Sequence, residues 1–115
     1  MTENKNSKSC SMSEPCRCFN EGGRRKTRRE PRTKKLLLNR LKRIEGQLHG
    51  LVRMLEEDAY CNDILIQSAA VSAAIRAFNK ELLDEHIRGC VAGDIKNGRD
   101  EIFDELSETL RMLIR

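Results

Sequence analysis

The chain has 115 residues, a net charge of +4 and 38% hydrophobic residues, with no Trp, one Tyr and three Phe. This length allows one small domain with a mostly aliphatic core, and such cores are often completed by oligomerisation. No apolar run approaches the ~20 residues of a membrane helix, and the N-terminus lacks a signal peptide's apolar region. The five cysteines are an odd number, whereas a secreted disulfide framework would favour an even one. We therefore expect a cytoplasmic protein with reduced thiols and no membrane partner, and nothing resembling a base, nucleophile or substrate pocket suggests an enzyme.

Residues 1–33 are predicted to form a disordered, basic N-terminal tail that contains cysteines. The first 23 residues are rich in Ser, Asn, Glu and Gly and offer almost nothing to bury. Cys10, Cys16 and Cys18 lie there without a His or a fourth Cys at a structural zinc spacing. We interpret them as unstructured, accessory thiols.

Basic residues are concentrated in one block. Between Arg24 and Arg43 there are eleven Lys or Arg against one acid, whereas from Ile44 onwards there are eight basic and fourteen acidic residues. A solvated tail is one explanation, but the block continues into a predicted helix, which favours a nucleic-acid partner. The candidate DNA-binding residues are Lys34, Lys35, Arg40, Lys42 and Arg43.

Residues 34–115 are predicted to form an all-α, three-helix protomer, because the region has no strand-like alternation or internal repeat. The first helix follows Pro31, ends at residues 57–59, and carries an apolar stripe of Leu37, Leu41, Ile44, Leu48, Leu51 and Leu55. A very long second helix runs from about Asn62, with Asn62 or Asp63 as its cap, to Cys90 or a little beyond. Asn97-Gly98 breaks the chain before a third helix from about Asp100 to Ile114.

A candidate metal site lies near the end of the second helix. His86 and Cys90 are four residues apart, so both project from one face of a helix. Cys61 lies 25 residues before His86, about 37 Å along a straight helix, and cannot join them within one chain. In an antiparallel dimer, the partner chain supplies Cys61 to two equivalent intersubunit sites.

Two thiolates and one imidazole form a soft ligand set of low coordination number. Thiolates select Cu(I), whereas Zn(II) normally takes a fourth ligand and a nickel site would recruit more nitrogen donors. The other histidine, His49, lies in the middle of the first helix. The residues alone leave two interpretations open, a metal site or an ordinary surface and core pair.

The segments NRLKRIEGQLHGLVRMLEEDAYCNDILIQSAA (39–70) and LLDEHIRGCV (82–91) resemble the copper-sensitive operon repressor (CsoR) family of bacterial metal and stress sensors, over roughly residues 34–115. The resemblance implies an all-α dimer with a four-helix-bundle core that pairs into a tetramer, binds operator DNA without metal and releases it on binding Cu(I). It also implies that the copper ligands are Cys61, His86 and Cys90 and that Arg40 contacts DNA. The residues beside the copper ligands would be Tyr60 and, allowing for a one-residue deletion, Glu105.

Departures from related branches point to copper. Nickel and cobalt sensors of this kind add an N-terminal histidine, and the corresponding region around Arg29 has none. Formaldehyde sensors lack the second cysteine, here Cys90, and persulfide sensors lack the histidine, here His86. We expect a Cu(I)-responsive transcriptional repressor. The alternatives are a thiol or persulfide redox-sensing repressor using Cys61 and Cys90, and a copper-buffering protein.

Overall fold

The computed structural model describes residues 18–114. In this range the elements are β1 (Cys18–Glu21), β2 (Arg24–Thr27), α1 (Pro31–Glu56), α2 (Cys61–His86), a π-helical turn (Ile87–Val91), α3 (Ala92–Lys96) and α4 (Glu101–Ile114). The π-helical turn and α3 follow α2 without an intervening loop, so the prediction of three main helices is confirmed. None of the helices in the described range is long and apolar enough to cross a bilayer.

The N-terminal region differs from the prediction of disorder up to residue 33. Strands β1 and β2 form an antiparallel hairpin with Glu21 opposite Arg24. The two turn residues, Gly22 and Gly23, have φ values of 59° and 81°, as a type I′ hairpin turn requires. Helix α1 begins at Pro31, a favoured first helical residue. The prediction of disorder is therefore wrong for residues 18–33. Residues 1–17, to which the same prediction applied, lie outside the described residues.

Helix α1 ends where the sequence predicts, in a Schellman motif. Asp58 takes the left-handed position with φ 56°. The Ala59 N–H donates to the Met54 carbonyl at 2.9 Å and the Asp58 N–H to the Leu55 carbonyl at 3.1 Å. These bonds satisfy carbonyl groups that the helix end leaves without partners.

The second helical segment begins slightly earlier and ends later than predicted. The Tyr60 carbonyl accepts the first hydrogen bonds, from the Asp63 and Ile64 N–H groups. Tyr60 is therefore the cap residue, and the prediction of a cap at Asn62 or Asp63 is wrong. The helical path continues through the π-helical turn and α3 to Lys96. The predicted break is confirmed at Asn97-Gly98, where Gly98 has φ 78° and the Arg99 N–H donates to the Asp94 carbonyl at 2.8 Å.

The described chain divides into two compact units. One unit is Pro31–Leu82, where Leu37, Ile44 and Val71 are buried. The other unit combines residues 18–30 with residues 83–114. There α4 packs against the π-helical turn, and the buried residues are Cys90, Val91, Asp94 and Ile102. The hairpin thus belongs to the unit that carries His86 and Cys90.

Candidate metal site and nucleic-acid surface

The three predicted metal ligands have different positions and burial. Cys61 is the first residue of α2 and is exposed, whereas His86 is the last residue of the same 26-residue helix and is half-buried. Cys90 lies in the π-helical turn and is only 4% exposed. No group of three or more His, Cys, Asp or Glu side chains within the described part of one chain is arranged to hold a metal ion.

A π-helical turn carries Cys90. The Ala92 N–H, after the last residue of this turn, donates to the Ile87 carbonyl five residues earlier. Such widened turns are rare and occur frequently at functional sites. Thr27, the last residue of β2, places its hydroxyl oxygen 3.9 Å from the Cys90 Sγ in a hydrogen bond. The hairpin therefore contacts a predicted metal ligand directly.

Arg25 joins the hairpin to two acids of the same unit. Its Nη2 lies 3.3 Å from Asp94 Oδ2 and its Nη1 lies 3.9 Å from Glu105 Oε1. The Asp94 side chain is 2% exposed, and its second oxygen, Oδ1, is buried with no hydrogen-bond partner among the described residues. A buried carboxylate is stable only when it is paired, so the contact with Arg25 offsets part of the desolvation of Asp94.

A second ion pair lies beside His86. The Arg29 Nε donates to Glu85 Oε1 at 3.1 Å, and both side chains are largely shielded from solvent. Glu85 directly precedes His86 in α2. The segment from Arg25 to Arg29 is therefore linked to residues next to both predicted ligands of this unit.

Tyr60 and Glu105 are the two positions that the resemblance implies beside the copper ligands. Tyr60 caps α2 and is 70% exposed. Glu105 lies on α4, is mostly exposed, and has Arg25 as its ion-pair partner. Their predicted partnership with His86 stays a prediction.

The predicted DNA-binding residues all lie on α1 and are exposed: Lys34, Lys35, Arg40, Lys42 and Arg43. Arg40 also has an acidic neighbour, because its Nη2 lies 3.9 Å from Glu81 Oε2 on α2. Both side chains of this pair are about half exposed, so the interaction is weak and screened by salt. It nevertheless places an internal competitor for phosphate beside one candidate DNA contact.

Sequence reasoning missed Arg25, Thr27, Arg29 and Asp94 as neighbours of the metal ligands. One signal was available: Gly22-Gly23 between two short polar runs matches the two-residue hairpin pattern. Asp94 also follows Cys90 by four residues, the spacing of neighbours on a helix. Of the tail cysteines, Cys18 begins β1, and Cys10 and Cys16 lie outside the described residues.

Comparison with known proteins identifies relatives over the helical region. The family described as metal-sensitive transcriptional repressor matches residues 33–112. The copper-sensing transcriptional repressor RicR of Mycobacterium tuberculosis is 42% identical over 76 residues, covering 66% of this chain and 79% of RicR. The copper-sensing transcriptional repressor CsoR of Bacillus subtilis is 51% identical over 65 residues, covering 56% of this chain and 64% of CsoR.

Solved structures show the same fold. The copper-sensing repressor CsoR with Cu(I) from Geobacillus thermodenitrificans superposes with a TM-score of 0.72 at 36% identity, covering 76% of this chain and 92% of that chain. The nickel-responsive transcriptional regulator InrS superposes with a TM-score of 0.58 at 34% identity, covering 69% and 90% of the respective chains.

Proposed function

The chain belongs to the family of metal-sensitive transcriptional repressors, and from this premise we propose that it is a cytoplasmic repressor that responds to Cu(I). In this proposal it binds operator DNA in the metal-free state and releases the DNA when Cu(I) binds. The observation that carries the choice of metal is the ligand set of Cys61, His86 and Cys90. Similarity to RicR and CsoR, both named as copper-sensing repressors, supports it.

The proposed ligands suit Cu(I). Two thiolates and one imidazole are soft donors, and a site of three ligands is too small for the tetrahedral coordination that Zn(II) prefers. When bound, Cu(I) supplies strong bonds that tie these side chains together. Cys61 and His86 stand at opposite ends of one helix, so Cys61 of the partner subunit completes each site.

Exposed apolar side chains support a dimer of antiparallel helices with a four-helix-bundle core, which pairs again into a tetramer. The unit Pro31–Leu82 exposes nine large aliphatic residues on α1 and α2, far more than a small soluble protein normally leaves in water. They are Leu36, Leu38, Leu41, Leu48, Val52, Leu55, Leu65, Ile66 and Ile75. Burial of this surface against other copies of the chain provides the driving force for assembly.

DNA binding is proposed for the exposed basic residues of α1. Lys34, Lys35, Arg40, Lys42 and Arg43 contribute five positive charges within ten residues. Such a cluster neutralises phosphate groups and releases condensed counterions, which makes binding strong at low salt and weak at high salt. Operator specificity needs additional contacts with base edges.

Release requires that the metal-bound conformation bind DNA less tightly, by a coupling free energy of about 1–3 kcal/mol. His86 has two ring nitrogens, and the nitrogen that does not bind metal can donate a hydrogen bond. We propose that Tyr60 and Glu105 receive this signal and pass it to α1 and α4. Tyr60 is suited to this role because it lies in the short connection between α1 and α2.

Anaerobic titration tests the function. The metal-free protein first selects its binding site from random-sequence duplexes, and the labelled duplex then reports binding by fluorescence anisotropy while Cu(I) is added. We expect release to be complete at one Cu(I) per chain for the wild type and to be absent for His86→Ala. Release by diamide or polysulfide but not by Cu(I) would establish the redox alternative. Cu(I) binding by a protein that selects no DNA would establish the buffering alternative.

A further inference from the structure

We propose that the hairpin formed by residues 18–27 is a latch that covers Cys90 and must open before the Cys90 thiol can bind a metal ion or react. The latch regulates the metal site of the proposed function, and the part of the proposal that concerns Cu(I) affinity rests on that function. The part that concerns thiol access does not.

The first observation is the cover itself. Cys90 is one of the least exposed residues of its unit, although Ile87, Arg88 and Ala92 in the same helical stretch are exposed. The Thr27 hydroxyl contacts its Sγ at 3.9 Å. A thiol that binds metal must lose its proton and present its sulfur to an incoming ion. With Thr27 in place, the sulfur is in contact with the hairpin.

The second observation is the anchor that holds the cover closed. Arg25 lies two residues before Thr27 in β2 and pairs with Asp94, which follows Cys90 by one helical turn. Because the other oxygen of Asp94 is buried without a partner, Arg25 provides the cationic contact that the structure shows for this carboxylate. A two-stranded hairpin is marginally stable alone, so its docking depends on such contacts.

The third observation links the latch to the other ligand of this unit. Arg29 follows β2 and pairs with Glu85, the residue before His86. Arg25 also reaches Glu105, the acid proposed to receive the signal from His86. In the closed state Glu105 is therefore engaged by the hairpin, and opening the latch makes its carboxylate available to another donor.

The latch has a quantitative consequence. When only a fraction of molecules has the binding-competent conformation, the observed dissociation constant is the intrinsic constant divided by that fraction. The reaction rate of a thiol that is accessible only in the open state is reduced by the same fraction. A variant that opens the latch should therefore raise the Cys90 reaction rate and the Cu(I) affinity by the same factor.

Alkylation of the full chain tests the cover without metal. The protein is treated with N-ethylmaleimide under anaerobic conditions, and mass spectrometry of the digest gives separate rates for the Cys90 and Cys61 peptides. We expect wild-type Cys90 to react at least tenfold more slowly than exposed Cys61, and Arg25→Ala to accelerate Cys90 about tenfold, because it removes a hydrogen bond between charged groups. The rate of Cys61 should not change.

Arg24→Ala is the matched control, because Arg24 lies in the same strand and forms no ion pair with the described side chains. Arg25→Ala leaves Asp94 buried without its cation, so a second variant opens the hairpin differently. Gly23→Ala has room for its methyl group but strains the backbone at φ +81°. We expect it to accelerate Cys90 about fivefold, with the ion-pairing residues intact.

The outcomes separate the latch from the proposed function. Cys90 rates that are the same in the wild type, Arg25→Ala and Gly23→Ala, with an unchanged Cys61 rate, would overturn the latch. If Cys90 accelerates, competition with a chromophoric Cu(I) chelator should show tighter binding by the same factor. Acceleration without any Cu(I) binding, in wild type and variants alike, would refute the proposed function while the latch stands. Acceleration with unchanged Cu(I) affinity would refute the link between latch and metal.

Discussion

Single residues define the proposed metal site, and their chemical types were readable from the sequence. The sequence places a Cys and a His at opposite ends of one long helix, and a second Cys one turn after the His. The rise per residue of an α-helix is enough to derive this placement. Their burial was not readable. Cys90 is buried and Thr27 contacts its sulfur, and that contact depends on a hairpin about sixty residues earlier in the chain. Long-range docking of this kind leaves no periodic signal in either segment.

The proposed relay through Glu105 and Tyr60 predicts that single substitutions affect Cu(I) binding and DNA release differently. Glu105→Ala and Tyr60→Phe leave all three proposed ligands in place, so Cu(I) binding in a chelator competition should change less than threefold. Release of DNA should weaken, with the coupling free energy reduced by about 1 kcal/mol. His86→Ala should abolish release even where the two thiolates still capture Cu(I). Full copper-driven release by both relay variants would eliminate this relay.

The ion pair between Arg40 and Glu81 predicts that an acid tunes DNA affinity. Glu81→Gln removes the carboxylate 3.9 Å from the Arg40 guanidinium, so metal-free protein should bind its DNA about two- to fourfold more tightly at low salt. Glu101→Gln on α4 changes the net charge equally and serves as the control. Equal effects of the two glutamine variants would show that only net charge matters.

Arg40→Ala should flatten the slope of log affinity against log salt by about 0.9 for a lost phosphate contact.

Among the secondary-structure elements, the helices were predictable and the non-helical elements were not. Apolar periodicity and the Asn97-Gly98 break located α1 and α4 to within a few residues. The hairpin was missed because its strands are short and polar, although Gly22-Gly23 carried the turn signal. The π-helical turn was missed because one extra residue in a helical turn produces no local sequence pattern.

The Schellman end of α1 predicts a stabilising substitution. Asp58 has φ 56°, where a side chain is strained and glycine is not. Asp58→Gly should therefore raise the free energy of unfolding by about 0.5–1 kcal/mol, measured by urea denaturation at fixed protein concentration. Asp58→Val is the matched opposite and should lower it by about 1 kcal/mol or more, because a β-branched residue tolerates this conformation poorly. Stabilisation by valine would show that the turn rearranges.

In the molecule as a whole, a single chain neither buries all of its aliphatic surface nor brings the three proposed ligands together. The unit Pro31–Leu82 exposes a broad aliphatic surface, and Cys61 stands at the far end of α2 from His86. The sequence anticipated both, because a small aliphatic core is often completed by oligomerisation and Cys61 lies 25 residues before His86. Half of that stripe, including Leu41, Leu48 and Leu55, is exposed in the isolated chain. The proposed antiparallel dimer would meet both needs with one arrangement.

Subunit exchange tests this arrangement directly. Cys61→Ala chains and His86→Ala/Cys90→Ala chains each lack part of every site, so neither protein alone should bind Cu(I) tightly. After mixing and exchange, half of the dimers are expected to be mixed. Each mixed dimer has one complete site, because its remaining Cys61 comes from one chain and its His86 and Cys90 come from the other. Tight binding should therefore recover to about a quarter of the wild-type capacity per chain, with two-fold symmetry setting the count. Differently tagged chains confirm the exchange by co-purification. Mixed dimers without any recovered site would show that the ligands do not come from two subunits.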